Sequence, residues 1–173
     1  LQAFARVHEK YPRATLVLAG SGRLLDSLTE QIRSLGLVGH AFLLGQRDDV
    51  PRLLAVADIY VNSSLLEGTC VSVLEAMAAG LPIVATRVGD TPYLLDSDSG
   101  ILVPPAQPEK TAEALIGLLS NSKQRNALGR AARARVQNDF SPRAWTRNLL
   151  AVYSKFTPSA NIHLKKLDEV EHA

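Results

Sequence analysis

Short unbroken apolar runs alternate along this chain with segments whose apolar residues recur every three or four positions. The runs predict strands buried on both faces, and the recurring pattern predicts the helices that cover them. Phe4, Val7 and Tyr11 form the first helical stripe, which Pro12 ends. Residues 15–19 (TLVLA) read as a doubly buried strand, punctuated by Gly20, Ser21 and Gly22. Leu25, Leu28, Ile32 and Leu35 then return to helical spacing, with Gly36 where a helix favours a glycine cap.

The unit repeats. Strands are predicted over 41–44, 59–62, 82–86 and 101–103, and helices over 50–57 and 71–79, the second ended by Gly80. Residues 89–92 read as a turn. Beyond Pro104 and Pro105 the pattern is helical to about Phe156, broken near Asn121 and at Ser141 and Pro142. Residues 157–173 are polar and predict a frayed, disordered tail. Strands separated by single helices predict a parallel sheet, and right-handed crossovers make it a doubly wound α/β domain. Ligands of such sheets lie beyond the carboxyl ends of the strands. The loops after Ala19, Leu44, Asn62 and Thr86 are therefore the places to look for chemistry.

Composition narrows the class. The 173 residues suit one domain, and 46% hydrophobic content excludes intrinsic disorder. With 19 basic and 17 acidic side chains the chain has no electrostatic footprint for nucleic acid. The single cysteine, Cys70, excludes a disulfide framework and fits a reducing, cytoplasmic setting. No apolar run approaches the roughly 20 residues of a membrane span. There is no visible signal peptide, and the chain opens at Leu1 without a methionine, so it reads as a fragment of something longer.

Two loops carry candidate chemistry. The amides of Gly20 and Gly22 would approach a phosphate closely, although glycines are routine between strand and helix, and Leu25 stands where a dinucleotide fingerprint has its third glycine. The richer stretch is SSLLEGTCVSVLEAMAAG, residues 63–80. Gly68, Thr69 and Cys70 would present free amides at the positive end of a helix, which suits an anion. Alternatively, Glu67 itself satisfies that helix end as a capping carboxylate. Glu75 has no lysine or arginine in helical reach, so it either accepts a sugar diol or is a buried, backbone-bonded structural residue.

Glu67-Gly68, the seven residues between the two glutamates, and the run LEAMAAGLPIVAT (residues 74–86) together resemble the donor-site signature of the large retaining glycosyltransferase family 4. The resemblance extends from Leu1 to about Phe156 and includes LVLAGSG, FLLGQRDD and ADIYVNSS in family order. It implies one half of a GT-B fold, a Rossmann-like carboxy-terminal domain over residues 1–156 that binds a nucleoside-diphosphate sugar. By that resemblance Glu75 binds the ribose hydroxyls. Glu67 faces the transferred sugar and stabilises positive charge at the anomeric carbon. The amides of Gly68, Thr69, Cys70 and Val71 meet the sugar or diphosphate, Gly20 and Gly22 line the donor site, and the backbone at Gln46 and Arg47 lines the base pocket. No protein metal site and no cofactor are implied, because helix amides and basic residues neutralise the phosphates. The acceptor, a glycan or lipid-linked glycan, would sit on an amino-terminal domain.

The chain departs from the family in three respects. A first strand, whose loop carries an Arg and a Lys for the diphosphate, is absent; in the order 3-2-1-4-5-6 that strand is central, so a gap in the sheet is expected. The acceptor domain is absent, so the fragment alone is expected to be inactive. Asp90, Thr91, Pro92 and Tyr93 replace the family's second glycine and its following glutamate.

Three other features read as background. Asp96, Ser97 and Asp98 resemble a metal-binding DxD but fit a turn. His8, His40, His163 and His172 lack ligand spacing. Seven basic residues between Lys123 and Arg147 read as a solvated face, the alternative being contact with anionic lipid at the inner membrane face. Two rival functions are a non-catalytic nucleotide-binding module and a nicotinamide-dependent dehydrogenase. The missing third glycine and the lack of an acidic residue ending the strand at 41–44 count against the second.

Overall fold

A computed structural model describes residues 1–156. In chain order the elements are α1 (Gln2–Lys10), β1 (Leu16–Ala19), α2 (Leu25–Ser34), β2 (Ala41–Gly45), α3 (Val50–Val56), β3 (Tyr60–Asn62) and α4 (Val71–Ala79). Then follow β4 (Ile83–Thr86), α5 (Thr91–Leu94), β5 (Ile101–Val103), α6 (Pro108–Ser120), α7 (Ser122–Asp139) and α8 (Pro142–Phe156). The expected strands and helices are therefore present. The stretch 89–92, read as turn, runs into a short helix at 91–94 with proline in its first turn. Residues 157–173 lie outside the described residues.

All strand pairs are parallel, as single-helix crossovers require. They form two sheets, one of β1 and β2 and one in the order β3-β4-β5. Among the described residues no ladder joins β1 to β3, and each has one edge without a neighbour. The sheet is therefore interrupted between β1 and β3, where a gap is expected.

Packing explains where the sequence reading of β1 fails. Only β4 is buried at every residue. In β1 burial alternates, and Val17 is 47% exposed, as are Phe42 (44%) and Leu44 (36%) of β2. An apolar run records what a strand is able to bury; whether a layer lies over it is a tertiary fact. One core cluster joins α1, α2 and α6 to both sheets through Phe4, Val7, Ile32, Val84 and Leu115. The other buries α4, α5 and α7 against the three-stranded sheet through Val73, Met77, Ile83, Leu95 and Ala132.

Two glycines set the position of α4. Gly80 ends the helix in the left-handed conformation (φ 76°), where a side chain is strained. Gly129, inside α7, lies so close to the carbonyl oxygen of Gly80 that a Cβ there would overlap it. The α4–α7 contact thus fixes the helix from which the candidate residues project.

Candidate functional site

Strand β3 ends at Asn62, and the chain loops through residues 63–70 before entering α4. Apolar residues 73, 76 and 77 turn that helix toward the core and leave Glu75 on the opposite, exposed side. Glu75 makes no hydrogen bond or ion pair among the described residues, so the reading of it as a buried structural glutamate is not supported.

Glu67 is half-buried in the loop, and its partners are side chains. Its Oε1 accepts from the Ser64 hydroxyl at 2.6 Å and from Asn62 Nδ2 at 3.3 Å, with the Cys70 thiol at 3.6 Å. These donors, Ser64 foremost, hold its carboxyl below the usual range. It does not cap the helix. The N-cap residue is Cys70 and no side chain accepts from the first-turn amides, but the predicted ligand amide of Val71 is taken by the Thr69 carbonyl at 3.1 Å, so the positive end of α4 is open beside Gly68 and Thr69.

The neighbouring loop clamps this one. The Thr69 hydroxyl donates to Asp90 Oδ2 at 2.8 Å, and the Asp90 amide donates to the Gly68 carbonyl at 3.3 Å. Thr91, fully buried, donates its hydroxyl back to the Thr86 and Val88 carbonyls. The departures at Asp90 and Thr91 therefore hold the turn after β4 against residues 67–69.

The remaining candidates lie at the carboxyl ends of the other sheet. The Gly20 amide donates to the Gly45 carbonyl at 2.7 Å, which ties the loops after β1 and β2 together and uses that amide. Gly22 is exposed with open space around its Cα. Arg47 is held by Asp49 in a two-point pair, both contacts 2.8 Å, beside Gln46. The structure brings Glu67, Gly68, Thr69, Cys70 and Val71 into one loop–helix junction, and Gly20, Gly22, Gln46 and Arg47 to the ends of the neighbouring strands.

Asn62, Ser64 and Thr86, which touch Glu67 or its anchors, were not singled out by the sequence reading. Ser64 lies in an irregular loop, where polar residues carry no period, and Asn62 and Thr86 are the last residues of β3 and β4. The available signal is a polar residue at the end of an apolar strand, Asn62 in β3 and Thr86 in β4.

The DxD-like segment is a structural turn. Asp96 Oδ1 accepts from the Asp98 and Ser99 amides and the Ser99 hydroxyl, while Oδ2 pairs with Arg135 at 2.7 Å. The basic stretch is likewise not wholly a solvated face. Arg135 also donates to the Tyr93 and Leu94 carbonyls, and Arg125 caps α6 at Leu118 and Leu119. The Ser99 hydroxyl and Arg135 depress the Asp96 carboxyl. A depressed carboxyl stabilises the fold above its unfolded pKa, and the contribution is lost as pH falls through the folded value. Asp96→Asn is therefore expected to start less stable at pH 6, and to lose less than wild type between about pH 4 and pH 2 in thermal unfolding.

Compared with known proteins, residues 1–135 match the family described as glycosyl transferases group 1. The chain belongs to that family. This group 1 domain is 31% identical over 166 residues to spore coat protein SA of Bacillus subtilis (strain 168), covering 90% of the chain and 44% of that protein. It is similar in structure to Anabaena Alr3699/HepE in complex with UDP (TM-score 0.81, 25% identity, 88% of this chain and 43% of that one). It is also similar to the C-terminal domain of the group 1 glycosyl transferase LpcC from Francisella tularensis (TM-score 0.70, 28% identity, 82% and 79%). The chain thus spans less than half the length of the B. subtilis relative and most of the isolated LpcC domain. Its α/β architecture is that of one half of a GT-B fold. Among the described residues, no helix is long and apolar enough to cross a membrane.

Proposed function

We propose that this chain is the donor-binding half of a retaining glycosyltransferase that moves a sugar from a nucleoside diphosphate to a glycan or lipid-linked acceptor. The observation that carries the reading is the junction of loop 63–70 with α4. A helix end with no side-chain cap meets a half-buried ionised carboxylate, Glu67, and the exposed, unpaired carboxylate of Glu75 follows about one turn into the helix. The helix end suits a diphosphate. Glu75 suits the two donors of a ribose diol, and Glu67 suits a sugar whose anomeric carbon gains positive charge as the diphosphate leaves. The UDP held by the similar Anabaena protein supports this substrate class.

The acceptor and the basic residues that complete the diphosphate grip would come from a preceding domain and strand, the strand entering between the free edges of β1 and β3. The chain alone is expected to bind donor but to transfer nothing. Thermal unfolding against a panel of nucleoside diphosphates tests the binding. A ligand at 100 times its Kd adds about 2.7 kcal/mol of stability. Glu75→Ala removes charge-assisted hydrogen bonds to the ribose, and should weaken that nucleotide by about tenfold to a hundredfold. Stabilisation by one diphosphate that persists undiminished in Glu75→Ala would refute the assignment.

A further inference from the structure

We propose that Ser64 and Asn62 are positioning residues for Glu67: they anchor one carboxylate oxygen so that the other is presented to the donor sugar. The inference rests on the reading of Glu67 as the group that faces that sugar. All the hydrogen bonds of the carboxylate go to Oε1, from Ser64 at 2.6 Å, Asn62 at 3.3 Å and the Cys70 thiol at 3.6 Å. Among the described residues Oε2 accepts nothing. An oxygen with three donors has little capacity left, so an incoming hydroxyl finds its acceptor at Oε2.

The anchors are themselves fixed. Asn62 is 8% exposed at the end of β3, and its Oδ1 accepts from the Ser64 amide at 3.1 Å, with the Thr86 hydroxyl 3.4 Å away. With Oδ1 so engaged, Nδ2 has to face Glu67 and Cys70. The Thr86 hydroxyl donates to the Ser64 carbonyl at 2.6 Å and so ties Ser64 to the end of buried β4. Glutamate in an exposed loop has three free side-chain torsions; here two adjacent strands of a rigid sheet set its position. A site built in this way holds its geometry before the ligand arrives. The same donors hold the carboxylate ionised, with Ser64 contributing most.

The test uses the full-length protein that carries this domain, with kcat, KM for the donor and the pH profile of kcat/KM measured for Ser64→Ala, Ser64→Thr and Glu67→Gln. Ser64→Ala is expected to lower kcat by about tenfold to a hundredfold with little change in KM. It is also expected to move the acidic limb of the profile to higher pH. Ser64→Thr keeps the hydroxyl and should restore both. Should Ser64→Ala fail to fold, Ser64→Cys, a near-isostere with a weaker donor, gives the same comparison. A Ser64→Ala enzyme that loses stability but keeps kcat and its acidic limb overturns the positioning role. If that occurs while Glu67→Gln is inactive, the donor-site reading survives without it. If Glu67→Gln stays active, both fall.

Discussion

Gly89→Ala is expected to cost the domain about 1–5 kcal/mol. Gly89 follows β4 with φ 51°, a conformation that costs a residue with a Cβ about 1–2 kcal/mol. The added carbon would overlap the Glu67 carbonyl oxygen and stand 2.9 Å from that of Gly68. Both neighbours are backbone, so no side chain is able to rotate away, and overpacking of this kind costs about 1–3 kcal/mol more. The entropy that alanine removes from the unfolded chain offsets only about 0.4–1 kcal/mol. In a domain of this size the midpoint of thermal unfolding should fall by roughly 3–15 °C. Gly22→Ala is the control, because nothing lies within 4 Å of its added carbon and its φ is not in the left-handed region; it should change stability by about 0.5 kcal/mol or less. Because Gly89 lies against Glu67 and Gly68, Gly89→Ala should also loosen the nucleotide. A Gly89→Ala domain as stable as wild type would show that the turn after β4 does not clamp loop 63–70.

Glu67→Gln is expected to leave the fold intact and to reduce transfer by the full-length protein about 10²–10³-fold, the usual scale for one electrostatic group at the reacting centre. The substitution is nearly isosteric. Its amide oxygen is able to take the place of Oε1 and keep the bonds from Ser64 and Asn62. Its NH2 then replaces Oε2, so a donor and no charge stand where an anionic acceptor stood. The loss should appear mainly in kcat, because the charge matters most when positive charge develops on the sugar. Single-turnover kinetics with saturating donor would check this. Activity within about threefold of wild type, below 1 kcal/mol, would mean that the charge of Glu67 is not used.

Much of this architecture was legible in the sequence for identifiable reasons. The sequence predicts helix α4 over 71–79 because an apolar segment ends at a glycine, and Gly80 does stop it, with φ 76°. The gap between β1 and β3 is legible only through the family resemblance, which supplies the additional strand and its central place in the order. What failed or was missed depends on contacts between distant segments. Whether Val17 and Phe42 are covered is decided by which layers surround the two-stranded sheet, and the run of residues 15–19 does not encode it. The sequence leaves Glu67 open between cap and ligand contact; its true partners, Ser64 in the loop and Asn62 at the end of β3, gain their importance only once β3 and β4 place Thr86 beside them. Asp90 reads as a lost glycine in sequence, and as the partner of Thr69 in the structure.

Amide chemical-shift mapping of the isotope-labelled chain during titration with a nucleoside diphosphate tests the central assignment most directly. The account predicts saturable shifts concentrated at Gly68, Thr69, Cys70, Val71 and Glu75, reduced in Glu75→Ala. A shallow groove between Asp58 and Arg130 lies at the amino ends of β3 and β4, away from these residues. Shifts confined to that groove, or none at millimolar nucleotide, would contradict a donor site at the start of α4.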